Sequence, residues 1–337
     1  MKAWRVPSGG QIDGLQLVEE APSVLSPGQV RVSVRAAALN FRDLMVLRGG
    51  YPVSTPGPLV PGSDAAGLVT EIAAGVQEFQ VGDRVATSFF PDWVEGRMTV
   101  PRILTPLGGG GVGTMAEEIV LPATALVRSP AHLSDTEAAT LTCAGTTAWH
   151  ALFETGTLQP GNTVLLLGTG GVSIWALQLA KAAGMRVIIT SSSDAKLARA
   201  RALGADETIN YQQVPEWSAQ VRQLTGGEGV DLVLEVGGEK TVQQSIAAVR
   251  PQGTVAIIGG VSGMGGAIAP RSLIFGATRV QGVYVGSRRM HADLARFVAA
   301  KQLHPVVDQS FAFTEVPAAY RHFQSGQHFG KVTISMA

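Results

Sequence analysis

Thr163-Val164-Leu165-Leu166-Leu167-Gly168-Thr169-Gly170-Gly171-Val172-Ser173 runs from a short apolar stretch through a glycine turn into a helix-like segment. A largely apolar run this short, bounded by turn signals, has the pattern of a strand buried on both faces of a parallel sheet. The segment from Val172 reads as a helix that stops at Gly184, a fitting C-terminal glycine. Glycines at 168 and 170, followed by a small residue at 173, form the dinucleotide fingerprint in the context it requires. Gly168 permits the tight turn, and Gly170 lets the backbone approach a pyrophosphate. Gly171 and Val172 open the helix whose N-terminus takes the phosphate charge. The competing reading is a tight turn with no ligand; the flanking strand and helix favour the cofactor.

Working outward, the strand–helix rhythm repeats. Residues 186–190 read as a strand and 194–203 as a helix closed by Gly204. Strand, helix and strand follow at 231–236, 241–249 and 254–258, with Gly259 next and assigned to the cofactor set. Repeated β-α units with short connections predict an α/β domain with a parallel, doubly wound sheet over residues 128–267. An NAD binder usually carries an acid about 20 residues past the glycines, at the end of the second strand. That place reads Thr190-Ser191-Ser192-Ser193, and Asp194 comes late, in the next helix. Lys196 stands in that helix's first turn, where the dipole disfavours a cation unless something anionic binds there. Hydroxyls and an ammonium suit a 2′-phosphate, so the expectation is NADPH rather than NADH. The alternative makes Ser193 a plain N-cap and Lys196 a solvated surface residue.

Residues 1–127 read differently, as strands and turns of β-barrel type. Gln29-Val30-Arg31-Val32-Ser33-Val34-Arg35 alternates with period two, and weaker strands follow at 66–72 and 83–88. Gly108-Gly109-Gly110-Gly111-Val112-Gly113 reads as a flexible surface loop, since no strand precedes it and no helix follows to make a phosphate cradle. Residues 268–337 return to strand-like text with one helix near 292–301. They close on the strand Lys331-Val332-Thr333-Ile334-Ser335, expected to rejoin the N-terminal domain.

Composition bounds the partners. The 337 residues suggest two domains. Lys+Arg and Asp+Glu are 26 each, which argues against nucleic acid or an anionic membrane and for a small-molecule substrate. One cysteine, Cys143, excludes an internal disulfide framework and any four-cysteine metal site. No signal-like or membrane-length apolar run is present, so a soluble cytoplasmic protein is expected.

Asn40-Phe41-Arg42-Asp43, Pro61-Gly62-Ser63-Asp64-Ala65-Ala66-Gly67, Val81-Gly82-Asp83-Arg84-Val85, the Gly168–Val172 turn and Gly330-Lys331-Val332 occur in one order. Together they resemble the medium-chain dehydrogenase/reductase superfamily over essentially the whole chain. The resemblance implies a GroES-like catalytic domain made of both chain ends, a Rossmann domain between them, and a homodimer. It adds Tyr211 to Ser192 and Lys196 as a 2′-phosphate set like that of the NADPH quinone reductases. It places Thr147 near the nicotinamide and offers Tyr284 as a second neighbour, unless that segment is an edge strand used in dimer formation.

In the zinc-dependent branch the catalytic metal takes a Cys, a His and a Cys. By resemblance those places are held by Asn40, Ser63 and Cys143, so a zinc-free site is expected, with no metal ligands. The zinc-free branches resemble reductases of quinones and α,β-unsaturated carbonyl compounds, and that is the leading expectation. A zinc-independent alcohol or aldehyde dehydrogenase and a non-catalytic NADPH-binding protein are the alternatives. Asn40 is a candidate donor to a substrate oxygen or the nicotinamide ribose, against a buried amide that holds its loop. Arg42 is a candidate for attracting an anionic group, against a structural pair with Asp43 or Asp64. The tyrosine that quinone reductases place two residues after Asp43 is Met45 here.

Overall fold

The structure is a computed structural model that describes residues 1–7, 9–51 and 57–336. Two compact units divide the chain: Met1–Thr146 with Val285–Ala337, and Thr147–Tyr284. These boundaries lie later in the chain than the 127/128 and 267/268 junctions expected from composition. The helical run from Asp135 to Thr155 spans the first junction without a Pro or Gly cluster to mark it.

The Thr147–Tyr284 unit is a six-stranded parallel sheet. Its strands lie in the order Glu207–Asn210, Arg186–Ser191, Thr163–Leu167, Val230–Glu235, Val249–Ile257, Arg279–Gly282. Chain order reverses across the sheet beside Thr163–Leu167, and such a switch point opens a crevice at the carboxyl ends of the strands. Val164, Leu165 and Leu166 are fully buried, as an apolar run covered on both faces must be. Leu165, Ile188, Val233 and Val255 pack with Trp217, Val221 and Ile246 of the covering helices. The strand Glu207–Asn210 and the helices Trp217–Leu224 and Pro270–Gly276 are absent from the sequence reading; each is short, and only Trp217, Val221 and Leu224 show helical spacing of apolar residues.

The other unit is built on a mixed sheet. Gln29–Ala38 pairs antiparallel with Asp64–Ile72, Glu118–Pro122 and the C-terminal Lys331–Ser335, so both chain ends share one sheet. Val307–Ala312 extends it in parallel with Lys331–Ser335. Residues 29–34 alternate in burial, and Ala36, Ala37 and Ala38 are wholly buried where neighbours crowd the strand from both sides. One core gathers Val30, Val32, Val69, Val85 and Ile119, and another gathers Trp4, Leu39, Leu44, Leu47, Tyr320 and Val332.

The glycine run 108–113 is a surface loop only at its tip, where Gly111 and Val112 are exposed. Gly108, Gly109 and Gly113 are buried. A Cβ on Gly108 would lie 2.1 Å from the Gly62 carbonyl oxygen, and one on Gly113 would lie 1.8 Å from that of Val60. The glycines are there because two backbones touch, a contact between distant segments that composition does not reveal.

Candidate active site

In the sheet unit Gly168 follows the strand Thr163–Leu167 with φ +72°, a left-handed conformation that favours glycine. A Cβ on Gly168 or Gly170 would meet no heavy atom within 4 Å, so both backbones face open space. Gly170 is the N-cap of the helix Gly171–Ala182, which has no side-chain cap and no acid in its first turn. The helix therefore presents its first N–H groups and the positive end of its dipole uncompensated. Ser173 is buried and donates from Oγ to the Leu167 carbonyl at 2.7 Å, tying helix start to strand end. With Gly171 and Val172 half-buried beside it, this turn fits the pyrophosphate of the dinucleotide.

The next two strands carry the residues expected to meet the ribose and its 2′-phosphate. Thr190 pairs with Ile209 and Ser191 with Asn210, and Tyr211 N–H donates to the Ser191 carbonyl at 3.1 Å. Ser192 and Tyr211 are exposed and Lys196 is half-buried. The structure thus brings Ser192, Lys196 and Tyr211 to the carboxyl ends of one strand pair. Ser193 caps the helix Asp194–Ala202, its Oγ accepting the Lys196 N–H at 3.4 Å. Asp194 is engaged elsewhere: Asn210 Nδ2 donates to Oδ1 at 2.8 Å and Gln213 Nε2 to Oδ2 at 3.0 Å. Sequence reasoning missed Asn210 and Gln213; two amides flanking Tyr211 were the only signal.

The remaining candidates of this unit are scattered. Gly259 lies half-buried beyond the strand Val249–Ile257, Thr147 is buried in the helix Thr146–Trp149, and Tyr284 is half-buried at the unit's end. Glu235, unmentioned in the sequence reading, is wholly buried at a strand end. Its carboxylate accepts from Gly237 N–H, Gly238 N–H and the hydroxyls of Thr241 and Ser245, which makes it the anchor of the following loop.

The other unit holds a buried polar cluster. Asn40 ends the strand Gln29–Ala38 and starts the helix Phe41–Leu47, its N–H donating to Asp43 Oδ2 at 2.9 Å. Lys331, 2% exposed, donates from Nζ to the Leu39 carbonyl and to Asn40 Oδ1, both at 2.6 Å. Its ammonium also lies 3.8 Å from Asp64 Oδ2. Ser63 Oγ donates to Asp64 Oδ1 at 2.8 Å, and Cys143 N–H to Asp64 Oδ2 at 3.2 Å. The three motif positions therefore meet around the pair Asp64–Lys331. Asp64 is thereby the partner of Lys331 rather than of Arg42. Lys331 was noticed only as part of the closing motif; a lysine in an otherwise uncharged final strand is the signal of an inward ammonium.

Burial sets the electrostatics of this cluster. It raises the Asp64 carboxyl above the usual range, and Lys331, Asn40 and Ser63 pull it back. It raises Asp43 to about 6, against the opposing pull of Arg42 and the Asn40 N–H. Desolvation and the nearby Asp64 push the Cys143 thiol up, so the thiolate is disfavoured. An amide, a hydroxyl and a proton-retaining thiol around an ammonium do not make a zinc donor set, which needs about three thiolate, imidazole or carboxylate ligands. Among the described residues no group of three His, Cys, Asp or Glu could hold a metal.

Comparison with known proteins places these features. Residues 26–131 match the alcohol dehydrogenase GroES-like domain, and residues 171–300 match the family described as zinc-binding dehydrogenase. A zinc-type alcohol dehydrogenase-like protein of Schizosaccharomyces pombe is 43% identical over 94% of this chain and 93% of its own. A 2-haloacrylate reductase of a Burkholderia species is 32% identical over 91% of each chain. The crystal structure of a Pseudomonas syringae pv. Tomato DC3000 quinone oxidoreductase superposes with a TM-score of 0.85, at 28% identity, covering 99% of both chains.

Proposed function

We propose a specific reductase activity for this chain, which belongs to the medium-chain dehydrogenase/reductase superfamily and is an NAD(P)H-dependent oxidoreductase. It is a zinc-independent, NADPH-dependent reductase of conjugated carbon–carbon double bonds in quinones or α,β-unsaturated carbonyl compounds. The observation that carries this reading is that the three ligand positions hold an amide, a hydroxyl and a thiol arranged around the internally bonded Asp64 and Lys331, which is not a set of metal ligands. Carbonyl reduction in the zinc branch relies on a Lewis acid, whereas a conjugated acceptor spreads its developing charge onto an oxygen that hydrogen-bond donors can stabilise. The name of one relative, 2-haloacrylate reductase, is that of a conjugated acceptor.

The bound nicotinamide supplies the hydride. This chain's own part is to hold the pyrophosphate on Gly168–Val172, to bind the 2′-phosphate with Ser192, Lys196 and Tyr211, and to orient the acceptor. NADPH preference is supported by the engagement of both Asp194 oxygens by Asn210 and Gln213, beside the exposed hydroxyls of Ser192 and Tyr211. Water supplies the proton. Gly259, Thr147 and Tyr284 complete the proposed cofactor contacts. A cytoplasmic homodimer completes the proposal; no described helix is long and apolar enough to cross a membrane, and Ile274 and Phe275 stand exposed on the helix that packs on the strand beside the sheet's open edge.

The test is product analysis with EDTA-treated protein, NADPH and an acceptor carrying both a conjugated double bond and an aldehyde. The expected product is the saturated aldehyde. The unsaturated alcohol would overturn the proposal in favour of the alcohol dehydrogenase reading, which the name of the 43%-identical relative favours. The non-catalytic alternative is set aside, because the relatives are oxidoreductases.

A further inference from the structure

We propose that Arg42 is the receptor for the carboxylate of an α,β-unsaturated acid, making enoates the acceptor class of the reductase. This rests on the reading above and narrows it. The Arg42 side chain is 9% exposed. A guanidinium withdrawn from water is costly unless its N–H groups and its charge find partners. Here Nη1 donates to the Leu107 carbonyl at 2.7 Å, its one hydrogen bond among the described residues. Nε and Nη2 are buried and have no hydrogen-bond partner among the described residues. The nearest carboxylate oxygen, Asp43 Oδ1, lies 3.8 Å from Nη1, outside hydrogen-bond reach. Asp43 cannot swing closer without giving up the Asn40 N–H on its other oxygen.

The two unspent N–H groups are not an arbitrary pair. Nε–H and Nη2–H point the same way along one edge of the guanidinium, the fork that matches the two oxygens of a carboxylate. The rings of Tyr51 and Phe89 lie 4.6 and 4.9 Å from Cζ, within cation–π distance, and offer no oxygen to these N–H groups at their faces. An enone or quinone offers one oxygen and no charge, so it leaves one N–H unpaired. A carboxylate offers two oxygens to that edge, where Asp43, at 3.8 Å, supplies charge but no hydrogen bond. Phe89 is buried and Tyr51 half-buried, so the Tyr51 side of the guanidinium lies nearer the surface.

The chemistry is consistent with this geometry. When hydride from the reduced nicotinamide adds at the β-carbon of an enoate, the C=C electron pair moves toward the carboxylate. A second negative charge develops there, and both Arg42 N–H bonds strengthen as it does. Water protonates the α-carbon; the acid is reduced by two electrons and the cofactor oxidised by two.

Ligand-observed NMR on the full chain tests this without turnover, using isobutyrate and its isosteric amide as probes. Isobutyrate is expected to bind at least tenfold tighter than isobutyramide. That advantage should fall at least tenfold in Arg42→Lys, which keeps the charge and loses the fork, and vanish in Arg42→Met. Equal binding of acid and amide by the unaltered protein overturns the proposal with no variant needed, as does an acid advantage that survives in Arg42→Met. Turnover of crotonate against methyl crotonate separates the two claims. Arg42-dependent acid binding with no reduction of either compound sinks the reductase reading and leaves the receptor standing. Reduction of the ester with no acid preference does the reverse.

Discussion

Lys331 shows how far one buried charge can organise a region. Its ammonium serves the Leu39 carbonyl, the Asn40 amide and the Asp64 carboxylate, three groups that come from two distant stretches of chain. Removing one partner of such a pair leaves the other charge uncompensated, at a cost of about 3–5 kcal/mol. Lys331→Met is therefore expected to lower unfolding stability by that amount in urea denaturation, and Lys331→Met with Asp64→Asn by clearly less than the sum of the two single changes. Strict additivity would show that the pair contributes nothing as a pair. Asn40, read as a candidate substrate donor, is held here by its oxygen, which accepts from Lys331. That fixes the direction of its amide in a way no neighbouring residue in the sequence indicates.

At the scale of elements, two glycine-rich stretches that look alike in composition do opposite things. The turn after Thr163–Leu167 keeps its glycines for open space, and the 108–113 run keeps them for backbone contact. Gly113→Ala is expected to destabilise the protein by about 1–3 kcal/mol or to prevent folding, because its Cβ would overlap a carbonyl oxygen. Gly170 has φ −80° and nothing near its Cβ position. Gly170→Ala should therefore leave the melting temperature within about a degree of the parent, a shift of a few tenths of a kcal/mol or less, while weakening NADPH binding in a tryptophan-quenching titration. A large loss of stability in Gly170→Ala, or none in Gly113→Ala, would contradict the assignment. The strand before each stretch was the legible difference: 163–167 has one and 108 does not.

For the whole molecule, two buried groups set opposing pH dependences. His291 is held neutral, its pKa lowered to about 3 by burial and by Arg288. The unfolded chain protonates below about 6.5, so this group makes stability rise with pH between 3 and 6.5. Asp43 keeps its proton up to about 6 in the folded protein and loses it near 3.8 when unfolded. It makes stability fall as pH rises through that window, being the state that binds more protons when native. Between pH 4 and 6 the dependence of melting temperature on pH should therefore shift downward in slope in His291→Gln and upward in Asp43→Asn. Parallel curves in both variants would show that neither group titrates as its burial implies.

Local sequence alone determined the α/β unit and its cofactor turn, because a strand buried on both faces, a glycine turn and a helix are written in consecutive residues. Resemblance to a family, rather than local sequence, supplied the ligand-position residues of the polar cluster and added Tyr211 to Ser192 and Lys196 as a proposed 2′-phosphate set. Neither showed that Lys331 and Asp64 stand among Asn40, Ser63 and Cys143, that Asn210 and Gln213 occupy Asp194, or that Arg42 keeps two N–H groups unspent. Those depend on partners up to 292 residues apart, as for Lys331 and Leu39. Hydrogen-bond satisfaction and desolvation belong to the packed neighbourhood of an atom, and only the tertiary structure assembles that neighbourhood.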